Sequence, residues 1–256
     1  MTDINDLVIY SAVDGLAYIT LNRPEKRNAL NDELIAQLKS VLIQAGESET
    51  ARAVVINANG SDFCSGADLS ALRKISQASV AENQEDARAL LELFVLIRKL
   101  PVPVIAAVHG RALAGGCGLA TACDLVVVSE TARFGYPEVK IGFVPAMVLA
   151  ILRRNISEKR AFELITRGQE FGAAEAKEIG LVNQVFPDAT FLEDVQNYAS
   201  AFKSMSKSAV TLTKALLYQI DGLDFVNAIE TGADVNVIAR MTEDCQQGIA
   251  RFLNKA

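Results

Sequence analysis

The sequence of 256 residues predicts an α/β fold that continues into a helical C-terminal region. Through the first 145 residues, short apolar runs typical of buried strands alternate with longer runs at helical spacing, and the connections are short. This alternation indicates an α/β architecture. Beyond Pro145, nearly every segment has the helical period instead. Half of the residues are hydrophobic, so the chain can bury a sizeable core.

The first 60 residues predict two strands, a helix and a third strand. Residues 8–10 and 16–21 are short apolar runs separated by the turn sequence Asp14-Gly15. Asn31 is a residue type that caps helices, and apolar residues follow it at helical spacing to about residue 45. Residues 53–58 (Ala-Val-Val-Ile-Asn-Ala) are mostly apolar, and we expect them to form a short buried strand of the parallel type.

The alternation continues through the rest of the chain. Residues 70–85 are polar and poorly periodic, so we expect a mobile loop or a loose helix there. Residues 86–100 predict an amphipathic helix that ends at Pro101 and Pro103. We expect further strands at 104–108, 125–129 and 181–185, and helices at 115–122, 148–154, 158–167, 173–179, 191–203, 209–219, 225–241 and 244–255.

Two glycine turns are the strongest functional signal in the sequence. They are Ser65-Gly66-Ala67-Asp68 and Ala114-Gly115-Gly116-Cys117, and each follows a predicted strand and precedes a predicted helix. Glycine permits a sharp turn, and the first amides of a helix have no partner within it. Two such turns facing each other could stabilise one oxyanion between two backbone N–H groups. The alternative is that the glycines only allow close packing of helix on strand.

Glu138 is the candidate acid–base residue. It follows a predicted buried strand and Pro137, and apolar residues surround it in the sequence. A carboxylate in such surroundings has a raised pKa, which suits it to proton transfer near neutral pH. The alternatives are an ion pair with Arg153 or Arg154, or a helix-capping role.

Composition excludes several classes of function. The net charge of -6 argues against broad nucleic-acid binding, which needs a basic face. No apolar run reaches the roughly 18 residues that span a bilayer, and the first residues are acidic and polar, unlike a signal peptide. The four cysteines have no paired spacing and the chain has one histidine, so we expect no metal site, no membrane contact and a reduced, cytoplasmic setting.

Several motifs together resemble those of the crotonase, or enoyl-CoA hydratase/isomerase, superfamily. The resemblance extends along nearly the whole chain. The matching segments are residues 19–24 with 27–30, 63–69, 103–108 with Gly110 and Gly115-Gly116, 122–125, 134–138 and 175–182. It implies a spiral of ββα units over residues 1–190, and a helical region over residues 191–256 that assembles a homotrimer or hexamer.

The resemblance also implies roles for individual residues. The amides of Ala67 and Gly115 would form the oxyanion hole for a thioester carbonyl, and Glu138 would move the proton at carbon 2. No separate cofactor is implied, because coenzyme A is part of an acyl-CoA substrate. The residues implied in coenzyme A binding, besides Ala67 and Gly115, are Lys26, Arg27, Ala29, Asp68, Leu69 and Lys255.

One departure from the family pattern bears on the reaction. The second acid–base carboxylate of the well-studied hydratases falls at position 118, which is Gly118 here. Shifting a double bond between carbons 3 and 2 needs only one base, so Glu138 alone suits an isomerase. However, residues 116–120 and 138–146 resemble a bacterial subgroup assigned as hydratases, including methylglutaconyl-CoA hydratase-like proteins. The sequence therefore favours a 2-enoyl-CoA hydratase, with a Δ3-Δ2-enoyl-CoA isomerase as the alternative.

Two further classes stay open from the sequence. An acyl-CoA hydrolase would use the same oxyanion hole but direct water to the carbonyl carbon. A non-catalytic acyl-CoA binder on the same fold would bind the thioester and leave it unchanged.

Overall fold

The computed structural model describes residues 6–254 and contains two β-sheets. The larger sheet has the strand order β1-β2-β3-β4-β6-β9, antiparallel between β1 and β2 and parallel elsewhere. Its strands are β1 Val8–Val13, β2 Leu16–Leu21, β3 Ala53–Ala58, β4 Val104–Val108, β6 Leu125–Ser129 and β9 Gln184–Phe186. The smaller sheet consists of β5 Arg111–Leu113, β7 Arg133–Gly135 and β8 Glu170–Gly172, in that order.

Helices cover the larger sheet and form the C-terminal region, so the mixed α/β class predicted from the sequence is confirmed. The α-helices are α1 Asp32–Glu47, α2 Leu69–Gln77, α3 Val80–Lys99, α4 Gly115–Ala122, α5 Ala146–Asn155, α6 Glu158–Arg167, α7 Ala173–Glu178, α8 Phe191–Ser200, α9 Lys207–Gln219, α10 Phe225–Met241 and α11 Glu243–Leu253. Short 3-10 turns lie at Pro24–Lys26, Pro137–Ile141 and Ala201–Ser204.

The larger sheet separates two hydrophobic cores. Alternate residues of a strand point to opposite faces, so Val54 and Ile56 of β3 belong to one core while Ala53 and Val55 belong to the other. The first core includes buried residues of α1, α3, α4, α5 and α6. The second is covered by the buried face of α8. Burial on both faces explains why β4 is a continuous apolar run and why the first four residues of β3 are all apolar.

Residues 70–85 are helical in the structure except for a break at Ala78 and Ser79 between α2 and α3, so of the two expectations the structure has the helix. Asp68 caps α2 by accepting from the Ser70 amide. Ser79 and Glu82 form a reciprocal capping box, so α3 begins at Val80, earlier than the expected start at residue 86. Capping explains why helices form here although the apolar period is weak. The capping side chains accept hydrogen bonds from the first amides of each helix, which have no partner within it.

The smaller sheet was not predicted from the sequence. Each of its strands has three residues, which is too short to show the alternation of period two that identifies strands. The last strand of the larger sheet also lies at Gln184–Phe186, later than the expected 181–185. The smaller sheet matters for function, because β5 and β7 carry the chain into the two segments of the candidate site.

Helix α9 is held to the core by a buried polar cluster. Lys214 is 7% exposed, and its Nζ lies 2.6 Å from Asp124 Oδ2 and 2.9 Å from the carbonyl oxygens of Ile97 and Val102. Tyr218 donates to the other oxygen of Asp124 at 2.7 Å. The cluster therefore ties the helical region to α3 and to the start of β4.

Helices α10 and α11 leave an extensive apolar surface exposed. Within residues 6–254 neither helix contains a buried residue. The large exposed apolar side chains of the two helices are Phe225, Val226, Ile229, Val237, Ile238, Met241, Ile249, Phe252 and Leu253. No helix of the described chain combines the length and apolar character needed to cross a membrane.

Candidate active site

The two glycine turns predicted from the sequence lie against each other. Gly66 has φ +96°, and a Cβ added to it would lie 2.8 Å from Ala114 Cβ and 3.7 Å from Gly115 N. A Cβ at Gly116 would lie 2.3 Å from the Cys64 carbonyl oxygen. Only residues without side chains permit this approach. The glycines thus allow the close packing considered as the alternative, and this packing brings the two turns together.

The amides of Ala67 and Gly115 are both unused at this junction. Across residues 6–254, neither N–H donates a hydrogen bond to a protein acceptor. Around Ala67, the Leu30 amide donates to Gly66 O at 2.7 Å and the Asp68 amide donates to Leu30 O at 2.9 Å, which leaves the intervening N–H free. Gly115 is the first residue of α4, where the helix dipole adds positive potential.

Strand β5 joins both turns to the segment that carries Glu138. The Leu113 amide donates to Cys64 O at 2.9 Å, just before the first turn. The Ala114 amide donates to Gly135 O at 2.8 Å, and Gly135 ends β7 three residues before Glu138. The two unused amides and the carboxylate are therefore positioned by one continuous set of backbone hydrogen bonds.

Ala114 adopts a conformation that favours glycine. Its φ of 50° and ψ of -124° place it in a region that costs a residue with a Cβ about 1–3 kcal/mol. Its N–H is fixed by Gly135 O, and its carbonyl accepts from the Gly118 amide at 3.0 Å. These two bonds hold the strained residue directly before the Gly115 amide, and so set the direction of that N–H.

Glu138 is a half-buried carboxylate without a partner for one oxygen. It lies in the 3-10 turn Pro137–Ile141, and within the described chain its Oε2 is buried and has no hydrogen-bond partner. Burial raises the pKa of Glu138, and a hydrogen bond to its own backbone amide offsets part of the rise. The proposed ion pair with arginine is wrong: Arg153 pairs with Glu158 at 2.5 Å, and Arg154 pairs with Asp221.

The polar groups nearest Glu138 are inert as nucleophiles. Burial raises the pKa of the Cys117 thiol and of the Cys64 thiol to about 12, so neither is a thiolate near neutral pH. Tyr136 is fully buried, and burial raises its pKa well above the usual value. Its hydroxyl has no hydrogen-bond partner among residues 6–254. Glu138 is thus the side chain here best suited to proton transfer near neutrality.

Position 118 is closed by apolar side chains. A Cβ added to Gly118 would lie 2.7 Å from Val148 Cγ2 and 3.2 Å from Phe94 Cζ. A carboxylate side chain there would overlap both of them. Neither Phe94 nor Val148 was singled out from the sequence, because the contact joins three helices that are distant in the chain.

The loop before α1 is fastened to the start of α2. Arg23 Nη1 lies 2.5 Å from Asp68 Oδ2 and also donates to Ala29 O at 3.1 Å. The pKa of Asp68 is lowered to about 2, chiefly by hydrogen bonds from the Ser70 amide and hydroxyl and further by Arg23. Asp68, expected among the coenzyme A contacts, is thus a buried structural anchor beside the Ala67 amide.

The same loop has an unusual backbone that a buried asparagine supports. Arg27 and Asn28 both have left-handed φ values, of 51° and 53°. Asn28 is completely buried; its side chain accepts from the Arg23 amide and donates to the carbonyls of Asn59 and Asp62, each at 2.8 Å. This role was not predicted from the sequence, although the tolerance of asparagine for left-handed backbone was the available signal.

The remaining predicted coenzyme A contacts fall into three groups. Lys26 and Arg27 are exposed and able to meet an anionic ligand, whereas the Ala29 side chain is buried. Leu69 is the first residue of α2, directly after Asp68. Lys255 lies outside the described residues.

A cavity lies at a distance from the candidate site. A cavity of about 400 Å³ is on the opposite face of the larger sheet, between α8 and residues of β2 to β4 such as Leu16, Tyr18 and Ala107. None of the groups of the candidate site lines it. No set of three or more His, Cys, Asp or Glu side chains in the part of the chain that the structure describes could hold a metal ion.

Two unused amides at adjoining turns, together with a carboxylate of raised pKa, are a combination that can act on a carbonyl compound. The family model for enoyl-CoA hydratase/isomerase matches residues 11–256. The chain therefore belongs to the enoyl-CoA hydratase/isomerase family, within the crotonase superfamily.

Individual relatives agree with this assignment over nearly their whole length. A Thermus thermophilus protein is 40% identical over 240 residues, which are 94% of this chain and 95% of that protein. The 2,3-dehydroadipyl-CoA hydratase of Escherichia coli is 34% identical, with 97% and 96% covered. The crystal structure of an enoyl-CoA hydratase from Mycobacterium smegmatis superposes with a TM-score of 0.93 at 32% identity, covering 98% of this chain and 97% of that one.

Proposed function

We propose that this protein adds water to a 2-enoyl-CoA thioester, or removes it in the reverse direction. One observation carries the proposal: two unused backbone amides lie at adjoining turns, and strand β5 joins these turns to a half-buried carboxylate of raised pKa that lacks a partner for one oxygen. The amides are suited to an oxygen that gains negative charge, and the carboxylate is suited to a proton.

The amides of Ala67 and Gly115 would bind the thioester carbonyl oxygen. When hydroxide adds to carbon 3, electron density moves to that oxygen and gives an enolate, which the two N–H groups and the dipole of α4 stabilise. Removing one such donor costs about 2.7–4 kcal/mol of barrier stabilisation in comparable sites. Neither amide needs to give up an internal hydrogen bond when substrate arrives.

Glu138 would carry the proton in this scheme. One water can supply both new groups on one face of the substrate: its hydroxyl forms the bond to carbon 3, and its proton passes through the Glu138 carboxylate to carbon 2. The raised pKa brings the carboxyl nearer the pH at which it both accepts and returns a proton efficiently.

The proposal includes the coenzyme A contacts. The exposed cations Lys26 and Arg27 and the exposed start of the turn at Ala67 lie on either side of the Arg23–Asp68 ion pair. We assign the nucleotide end of coenzyme A to this loop, together with Ala29, Leu69 and, outside the described residues, Lys255.

An isomerase acting on a 3-enoyl-CoA is the second candidate. The closed, apolar surroundings of Gly118 favour it, because they leave Glu138 without a second carboxylate at that position. Bond migration needs only one base, which removes a proton from carbon 2 and returns it at carbon 4. Both reactions pass through the same stabilised oxyanion.

Incubation in heavy-oxygen water separates the candidates. The substrates are crotonyl-CoA, 3-methylglutaconyl-CoA and a 3-enoyl-CoA, with products followed by mass spectrometry. Label in a 3-hydroxyacyl product supports hydration, and bond migration without label supports isomerisation. Release of free coenzyme A from a saturated acyl-CoA would indicate a hydrolase, and binding of acyl-CoA with no conversion would indicate a non-catalytic binder.

Assembly through the helical region and a cytoplasmic setting complete the proposal. The exposed apolar side chains of α10 and α11 support a homotrimer, or a hexamer of two trimers, because such a surface is unusual for a monomer. Light scattering of the purified protein measures the assembly, and fractionation of cells that express it measures the location.

A further inference from the structure

Three helices meet at Gly118, and the three atoms nearest to an added Cβ there all belong to apolar side chains. Phe94 of α3 is 5% exposed and Val148 of α5 is 4% exposed. An added Cβ at Gly118 would meet Val148 Cγ2 at 2.7 Å, Phe94 Cζ at 3.2 Å and Phe94 Cε2 at 3.7 Å. We call these three residues the apolar wall. Its members touch only because position 118 has no side chain.

The apolar wall lies close to the oxyanion-binding amides. Gly118 is one helical turn after Gly115, so the two residues share one side of α4. A Cα–Cβ bond in a helix tilts toward the N-terminus, so the space beside Gly118 lies over the first turn of α4. Phe94 and Val148 occupy that space. A thioester whose carbonyl oxygen meets the Gly115 amide would bring carbon 3, two bonds from its carbonyl carbon, to the same region.

We propose that the apolar wall determines substrate choice at carbon 3 of the acyl group. Val148 and Phe94 would clash with a methyl branch at that carbon, whereas an unbranched chain presents only a hydrogen atom there. The inference rests on the proposed function for where the thioester binds. It assigns Val148 and Phe94 as specificity-determining residues, and it assigns to this chain acyl groups that are unbranched at carbon 3.

The test compares crotonyl-CoA with 3-methylcrotonyl-CoA, which differ by one methyl group at carbon 3. One methylene in an apolar pocket changes kcat/KM by about 10- to 200-fold. We expect the wild-type protein to favour crotonyl-CoA by a factor in this range. Val148→Ala should reduce that preference at least tenfold, because it removes the Cγ atoms that approach Gly118. Phe94→Leu should reduce it as well.

A matched control and a compensating variant make the result specific. Leu149→Ala removes a comparable side chain from the exposed side of α5 and should leave the preference unchanged. Gly118→Ala in the Val148→Ala background returns one methyl group to the space that Val148 vacated. It should restore much of the preference for crotonyl-CoA. Thermal unfolding checks that each variant is folded.

Binding measurements distinguish failure of this inference from failure of the proposed function. If the wild-type protein converts neither enoyl-CoA, the proposed function fails, and the wall is tested by titrating butyryl-CoA and 3-methylbutyryl-CoA, whose affinities should differ in the same direction. Loss of that difference in Val148→Ala supports the wall. An unchanged preference in folded Val148→Ala and Phe94→Leu proteins, in turnover or in binding, overturns it.

Discussion

Three residues of the candidate site carry a polar group that has no hydrogen-bond partner in the described part of the chain. Ala67 and Gly115 have N–H groups that no protein acceptor within residues 6–254 uses, and Glu138 has a buried oxygen without a partner in the same part of the chain. A buried polar atom is normally satisfied, so the unpaired Glu138 oxygen is suited to a ligand group, and the two unused amides are suited to an acceptor. In the proposed function, a polarised carbonyl oxygen accepts from the two amides, and a proton in transfer binds to the carboxylate.

Replacing Glu138 tests the acid–base role. Glu138→Gln keeps the shape and removes the proton acceptor, so kcat on the best substrate should fall about 10²- to 10⁴-fold. The matched control is Glu193→Gln, at an exposed glutamate on α8, which should retain full turnover. Equal turnover of Glu138→Gln and wild-type protein would remove Glu138 from the mechanism.

The raised pKa of Glu138 also predicts a pH dependence with a definite sign. The base must be ionised, so kcat/KM should fall as the pH drops, with a midpoint above the ordinary glutamate value of 4.5. A folded-state pKa above the unfolded value means that stability decreases as pH rises between the two values. Glu138→Gln should therefore gain stability relative to wild type as pH rises through this window, measured by urea unfolding. A midpoint at or below 4.5 would contradict the desolvation argument.

Helices contribute to the candidate site through the residues at which they begin. The turn at Asp68 begins α2, and the strained Ala114 precedes α4, so the site is assembled from helix starts held by short strands. Asp68 combines two tasks, because one oxygen caps α2 and the other pairs with Arg23. The loop that carries Lys26 and Arg27 depends on that pair for its position.

Two substitutions at Asp68 separate these tasks. Asp68→Ala removes the cap and the ion pair, and should cost about 1 kcal/mol or more in the free energy of unfolding. Asp68→Asn keeps a capping oxygen and loses the charge, so it should be milder in unfolding but should still weaken acyl-CoA binding. Because the pKa of Asp68 is about 2, its ionised form stabilises the fold above about pH 4 and this stabilisation is lost as pH falls toward 2.

Urea unfolding at several pH values and calorimetric titration with butyryl-CoA measure both effects. The difference between wild type and Asp68→Asn should shrink as pH falls toward 2. A constant difference across that range would show that the charge of Asp68 does not stabilise the fold.

The sequence was sufficient for elements with a clear period and insufficient for the contacts between them. The runs that became β2, β3 and β4 and the glycine turns were visible because each signal is local. The strands of the smaller sheet were invisible at three residues each, and the partner of Arg23 lies 45 residues away at Asp68. The wall around Gly118 requires knowing how three helices pack, which no local pattern contains.

At the scale of the whole molecule, a buried ion pair between Lys214 and Asp124 ties the helical region to the core. The same region exposes an apolar surface. Lys214→Met should break the buried cluster and leave Asp124 without its cation, at a cost of about 3–5 kcal/mol in the free energy of unfolding. Lys207→Met, at the more exposed start of the same helix, is the control and should cost much less. Urea unfolding measures both. A loss for Lys214→Met no larger than for Lys207→Met would show that the cluster does not hold α9.

The exposed apolar face of α10 predicts a second effect on the whole molecule. Phe225→Asp places a charge on a side chain that is 79% exposed in the single chain, and should dissociate the assembly into smaller species. Phe162→Asp, at 68% exposure on α6, is the matched control outside the helical region. Light scattering reads the mass of each. An unchanged mass for Phe225→Asp would place the assembly contact on another surface.

Strand β5 has a consequence for how this enzyme could diversify. In the proposed scheme, the backbone hydrogen bonds of Leu113 and Ala114 fix the spacing between the two unused amides and the carboxylate, while the apolar wall at the acyl group is formed mainly by side chains of α3 and α5. Substitutions in those helices can therefore change which acyl groups are accepted without moving the two amides or the carboxylate. New acyl preferences should thus arise with turnover largely preserved.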